Sequence, residues 1–228
     1  MLREPALNAL LELLGDVYAF DDLDAFRPGV MEAVGRAVPA DFVSYNEVGE
    51  RPEEIIAFSV PELPADAHET WSRLAPQHPV LRHVRRTLDG RPARISDFAT
   101  REEFHALELY RDFYRRIGVE SQVSFTLPAA PPLVIAIVLS RGPDDFTDEE
   151  CELLARARPH LIQAYRNAQA NEQRELVLDA LGRGVQGAGG PVVVADRQGT
   201  VHFAGPGAAQ LLARGNGRLD TPVREWVS

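Results

Sequence analysis

A chain of 228 residues with 45% hydrophobic content is long enough for one well-buried domain plus an appendage, and too apolar for wholesale disorder. Its formal charge of −10, from 24 basic against 34 acidic residues, lacks the concentrated positive surface that phosphate-tracking proteins need. Every basic residue is arginine, so the lysine required by a Walker phosphate loop, a kinase or a pyridoxal Schiff base is missing.

Residues 5–19 place Leu7, Leu10, Leu11, Leu14 and Val17 at spacings of three and four, which predicts a helix. A second helix over 22–38 carries Phe26, Val30, Val34 and Val38 on one face, with Asp21 or Asp22 as its cap and Pro39 as its stop. Phe42 to Val48 alternates, with Phe42, Ser44, Asn46 and Val48 on one side, and reads as a strand. Gly49-Glu50-Arg51-Pro52 is turn chemistry leading into a second strand, Glu54 to Val60. The stretch from Ala65 to Leu88 has helical patterning broken by Pro76 and Pro79, so two short helices are expected, closing on Asp89-Gly90.

A short strand is expected at Ala93–Ser96. Thr100-Arg-Glu-Glu103 then has the form of a capping box that opens a helix to about Ile117, ended by Gly118. Glu120–Leu127 and Leu133–Arg141 form a strand pair, and the second is apolar on both faces, which places it centrally in a sheet. Thr147-Asp-Glu-Glu150 is a second capping box and opens the longest helix. Along it, Leu154, Ala157, Leu161, Ala164 and Ala168 follow an a/d spacing. That stripe is either a dimer seam or the helix face that packs on the domain's own sheet. Pro159 within it predicts a kink or a helix restart. Gly182 to Gly190 reads as a flexible joint whose Gly-x-Gly fragments precede a strand, the wrong context for a dinucleotide fingerprint. Val192–Ala195 and Thr200–Ala204 read as a hairpin, and Pro206–Ala213 as a short helix.

No apolar run approaches the ~20 residues of a membrane span, and Met1-Leu2-Arg3-Glu4 lacks the basic, apolar start of a secretory signal. A soluble cytoplasmic chain without membrane contact is expected. The basic clusters, Arg82 to Arg86 and Arg111 to Arg116, interleave with apolar residues at helical spacing and read as wet helix faces. The six histidines, His68, His78, His83, His105, His160 and His202, form no metal-ligand spacing, so no metal and no cofactor are expected. No nucleophile elbow is present. Cys151 is the single cysteine, which excludes an internal disulfide or dithiol cycle. Its place in a helix's first turn could lower its pKa, and a buried, inert thiol is the alternative.

The run from Phe146 through Arg158-Pro-His-Leu-Ile-Gln-Ala-Tyr-Arg-Asn-Ala168 resembles the terminal helix of GAF-like sensor domains in actinobacterial LuxR-type regulators. Tyr110-Arg-Asp-Phe-Tyr-Arg-Arg-Ile-Gly-Val-Glu120 resembles the helix entering that family's central strand. The segment Val192 to Ala204 resembles the opening of a PAS-like region, although the asparagine usual near Gly205-Pro206 is missing. The resemblance implies an α+β fold with a GAF-like antiparallel sheet flanked by helices, then a long signalling helix and a short hairpin/helix segment. It divides the chain into a sensor domain (1–146), a signalling helix (147–181), a linker (182–190) and a partial PAS-like segment (191–228).

GAF-like domains hold small molecules between the sheet and its covering helices, and mostly apolar linings with a few polar anchors are expected there. The candidate lining is Tyr45, Phe58, Trp71, His78, Phe98, Phe104, Tyr110, Phe113, Gln122 and Ser124. The resemblance further implies a homodimer, with DNA bound only through a helix-turn-helix expected beyond Ser228. A non-catalytic sensor is the leading reading. A structural dimerisation module without ligand and an enzyme on a GAF-like scaffold are the alternatives. The lone cysteine argues against the thiol-dependent reductases built on that scaffold.

Overall fold

The computed structural model describes residues 2–51, 55–187, 193–195, 201–204 and 208. They fall into two compact units, 1–169 and 170–228. The first begins with helices α1 (Glu4–Val17) and α2 (Leu23–Ala37), the second capped by Asp22, whose carboxylate accepts from the Ala25 amide at 2.7 Å. Strands β1 (Phe42–Val48) and β2 (Ile55–Val60) follow, then helices α3 (Ala67–Leu74) and α4 (Pro79–Thr87). Strand β3 (Ala93–Arg94), helices α5 (Arg101–Ala106) and α6 (Glu108–Asp112), and strands β4 (Ser121–Leu127) and β5 (Val134–Arg141) complete the sheet. Its order is β2-β1-β5-β4-β3, antiparallel throughout.

The sheet's two faces have different work. Val43 and Tyr45 of β1, Val123 and Phe125 of β4, and Ile135, Ile137 and Leu139 of β5 share one face. All are buried against α1, α2 and the first part of helix α7 (Asp148–Gly187), forming the main core. β5 is the central strand, as its two-sided apolar pattern predicts. The opposite face is covered by α3 to α6 around a second core that includes Val84, Phe104, Leu109 and Tyr114.

Both capping boxes form. The Glu103 amide donates to Thr100 Oγ1 and the Thr100 amide to Glu103 Oε2, and Thr147 and Glu150 exchange the same pair of bonds. The single helix expected to run to Ile117 is instead α5, α6 and a 3₁₀ turn (Tyr114–Ile117). Leu107 is extended between the two helices, and the Leu109 amide takes Gln77 Oε1, from another part of the chain, at 3.0 Å. Sequence spacing carries no sign of so remote a cap.

Helix α7 runs without interruption through Pro159, so the expected restart is absent. Leu154, Ala157, Leu161, Ala164 and Ala168 are 0–1% exposed within the chain itself. The stripe is therefore the face that packs on the domain's own sheet, and not an open dimer seam. Its buried apolar contacts on both sides of Pro159 offset the one hydrogen bond the ring removes. The helix also continues to Gly187, through residues 182–187 that the glycines marked as a joint. In the second unit, β6 (Val193–Ala195) and β7 (Val201–Ala204) pair antiparallel, with Val194 opposite Phe203. Of the helix expected over Pro206–Ala213, only Ala208 lies within the described residues, and the rest of 188–190 and 209–228 lies outside them.

Candidate functional site

At the centre of a five-stranded sheet, side chains are normally the best covered. On the core face of β5 this holds: Ile137 and Leu139 are wholly buried. On the opposite face Ala136 and Val138 are only half-buried, although β1 and β4 flank them on both sides. The space above them is a cavity of about 490 Å³, within the range of small-molecule sites. Phe42, Ser44, Asn46 and Val48 of β1 and Gln122, Ser124 and Thr126 of β4 share its floor, as the two-residue period of a strand requires. Trp71 of α3, Val80, Leu81 and Val84 of α4, and Phe113 and Tyr114 supply the wall opposite. Glu62 and His68, both exposed, lie among the lining residues.

One end is fixed by a buried polar network. His78 Nδ1 accepts from the Leu81 amide at 3.2 Å, capping α4, so Nε2 carries the proton and donates to Gln122 Oε1 at 2.6 Å. Gln122 Nε2 donates in turn to Tyr114 Oη at 3.1 Å and Ser140 Oγ at 3.0 Å. Burial pulls the His78 pKa down to about 4 against the smaller opposing effect of Gln122, and it pushes Tyr114 up to about 12. The imidazole and the phenol are therefore both neutral near pH 7.

A second tie runs from the cavity floor to α7. Arg158 Nε donates to the Thr126 carbonyl at 2.8 Å, and the Thr126 amide donates to the Gly90 carbonyl at 3.1 Å. Residue 90 has no room for a side chain, because a Cβ there would strike Thr126 Oγ1 and the Arg158 guanidinium.

Of the candidate lining, the structure brings Phe58, Trp71, His78, Phe113, Gln122 and Ser124 to the cavity. Tyr45 is not there. Strand alternation turns it to the core face, against Phe26, with its hydroxyl donating to Glu47 Oε1. Phe98 is 40% exposed and packs on His83 outside the site. Phe104 and Tyr110 belong to the packing behind Tyr114. Tyr110 stacks on His105, and both donate toward the Glu120 carboxylate. Cys151 is half-buried with its thiol pushed up to about 11 by burial, the reverse of helix-dipole activation. Among the described residues, no three histidine, cysteine or acidic side chains converge as a metal site, and no helix is long and apolar enough to cross a membrane.

Sequence reading missed Ser44, Asn46, Thr126, Ser140 and Tyr114. The first four were reachable by extending period two along β1, β4 and β5. Tyr114 was not, because nothing local separates it from Tyr110, one helical turn earlier.

No protein-family model and no curated protein sequence matches the chain. Solved structures do. The ligand-binding domain of VqsR from Pseudomonas aeruginosa superposes with a TM-score of 0.54 at 18% identity, over 73% of this chain and 95% of that one. The N-acylhomoserine lactone dependent LuxR-family transcription factor CepR2 from Burkholderia cenocepacia gives 0.51 at 12% identity, over 71% and 94%. The GAF domain of a phosphoenolpyruvate-protein phosphotransferase from Acinetobacter gives 0.51 at 13% identity, over 75% and 99%. The fold is that of GAF-like domains, and the VqsR and CepR2 structures share its arrangement of sheet and helices with this chain.

Proposed function

We propose that this chain is the sensory part of a LuxR-type transcriptional regulator, binding a small molecule in the cavity beneath α3 and α4 and reporting through α7 to a DNA-binding output domain carried elsewhere. The observation that carries the reading is the half-buried pair Ala136 and Val138 at the centre of the sheet, beneath a cavity large enough for a ligand. The likeness to VqsR and CepR2 supports the same reading at the level of fold. The tie from Thr126 to Arg158 provides a route: a change at the cavity floor bears directly on a side chain of the helix that leaves the domain.

On this reading the module is non-catalytic. His78, the one buried histidine among the described residues, is held neutral by bonds at both ring nitrogens rather than poised beside a nucleophile. It works as a homodimer whose interface lies away from the buried stripe of α7, and the hairpin β6–β7 opens a PAS-like region. Native mass spectrometry of chain purified without denaturation tests the reading. Wild type carries an additional small-molecule mass, and Ala136→Trp, which fills the cavity, does not. The same mass on both proteins, or on neither, would contradict it.

A further inference from the structure

The cavity floor has a polar pattern that specifies more than its volume. The pairing places Ser44 of β1, Val138 of β5 and Ser124 of β4 in one row across the sheet. The next row is Asn46, Ala136 and Thr126. Over these three strands each row is apolar in the middle and polar on either side, and β2 adds Ser59 to the first row and Ala57 to the second. With neighbouring strands ~4.8 Å apart, the two polar edges lie roughly 10 Å from each other.

These edges have hydrogen-bonding capacity that the protein does not use. Ser124 and Thr126 are 7% and 9% exposed, and among the described residues neither hydroxyl has a hydrogen-bond partner. Neither is a wholly buried orphan, a state that among the described residues falls to Arg27 Nε alone, so both hydroxyls open onto the cavity space and are free to meet a ligand. Asn46 Nδ2 donates to Ser44 Oγ at 2.9 Å, which leaves the Asn46 carbonyl oxygen and the Ser44 proton without a described partner. In the network beside it, His78 and the Gln122 amide are satisfied within the protein, whereas Ser140 and Tyr114 accept from Gln122 and keep their own protons for a third contact. Among the described residues no arginine lines the cavity, and the one carboxylate in the lining, Glu62, is exposed. A carboxylate or phosphate over the middle of the floor would therefore lose its hydration with no counter-charge among the described lining residues.

We infer that the cavity's ligand is an uncharged, two-ended molecule, with a hydrogen-bonding group at each end of an apolar middle that spans β5 from the Ser44–Asn46 edge to the Ser124–Thr126 edge. The volume suits something on the order of 16 water-sized groups at ~30 Å³ each. This rests on the sensory reading above and sharpens it to a ligand class.

The test is equilibrium binding by titration calorimetry with three probes: biphenyl bearing a hydroxyl at each end, biphenyl bearing one hydroxyl, and biphenyl bearing a carboxylate at each end. Each is measured against wild type, Ser44→Ala, Ser124→Ala and the double variant. The dihydroxy probe should bind tightest, each single substitution should weaken it roughly three- to tenfold, and the double variant should lose the product of the two factors. The monohydroxy probe should respond to one of the two substitutions only, and the dicarboxylate should not bind. Equal binding of the one- and two-hydroxyl probes, insensitivity to both substitutions, or preference for the dicarboxylate would overturn the two-ended assignment. It would leave the sensory reading standing, provided that wild type alone carries the co-purified mass. Absence of binding by every probe to a wild type that does carry that mass would also overturn the ligand class alone. Failure of both experiments would remove the two together.

Discussion

His78 shows how one side chain serves the fold and the site at once. Nδ1 caps a helix and Nε2 anchors the amide of Gln122, so the ring must stay neutral to do both. Its folded pKa of about 4 lies below the ordinary 6.5. Between those values acid protonates the unfolded chain and not the folded one. This residue therefore costs stability as pH falls from about 6.5 to 4, by roughly 3 kcal/mol in full, and nothing above that window. His78→Asn keeps a capping oxygen but cannot reach Gln122. Leaving that buried amide oxygen short of its donor should cost about 1–3 kcal/mol at pH 7. Urea titrations at several pH values check the sign. The stability gap between wild type and the variant should narrow steadily toward pH 4, and a constant gap would refute the buried neutral ring.

At the scale of elements, local rules account for much of the structure and fail where distant residues intervene. Thr147 and Glu150 were legible as a helix start because the capping box is a short-range device. Thr147→Ala should cost about 1 kcal/mol by chemical denaturation. Leu88 was not legible. It ends α4 in the left-handed region, with φ of 59°, while its side chain is 68% exposed and makes little packing. Glycine carries no Cβ penalty there, so Leu88→Gly should stabilise the protein by roughly 0.5–1 kcal/mol, read as a higher Tm. The a/d stripe of α7 was legible as a buried face, but periodicity alone cannot say which surface buries it. The structure places the stripe against the domain's own sheet. Ala164→Leu should therefore overpack that contact by about 1–3 kcal/mol, with a Tm loss independent of protein concentration. A loss that shrinks as concentration rises would restore the dimer seam.

For the whole molecule, one sheet separates two tasks. Its core face is filled by α1, α2 and α7, whereas its other face combines a second core with an uncovered centre. The alternation of β1 was readable from sequence, and so was the burial of β5 on two sides. Which face would be left open was not, because that depends on where α3 and α4 sit, and no periodicity encodes their distance from the sheet. The polar floor was half-legible for the same reason: Gln122 and Ser124 were anticipated, while Tyr45, chosen for its aromatic ring, belongs to the filled face. The tie from Thr126 to Arg158 joins the cavity floor to α7, and under the proposed function it is the route by which occupancy would reach that helix. Thermal unfolding of wild type and Ala136→Trp, each with and without an organic extract of the cells that produce the protein, tests the central claim most directly. The account predicts a raised Tm for wild type and no change for the variant. No shift in either protein, or the same shift in both, would contradict a ligand-binding cavity above β5.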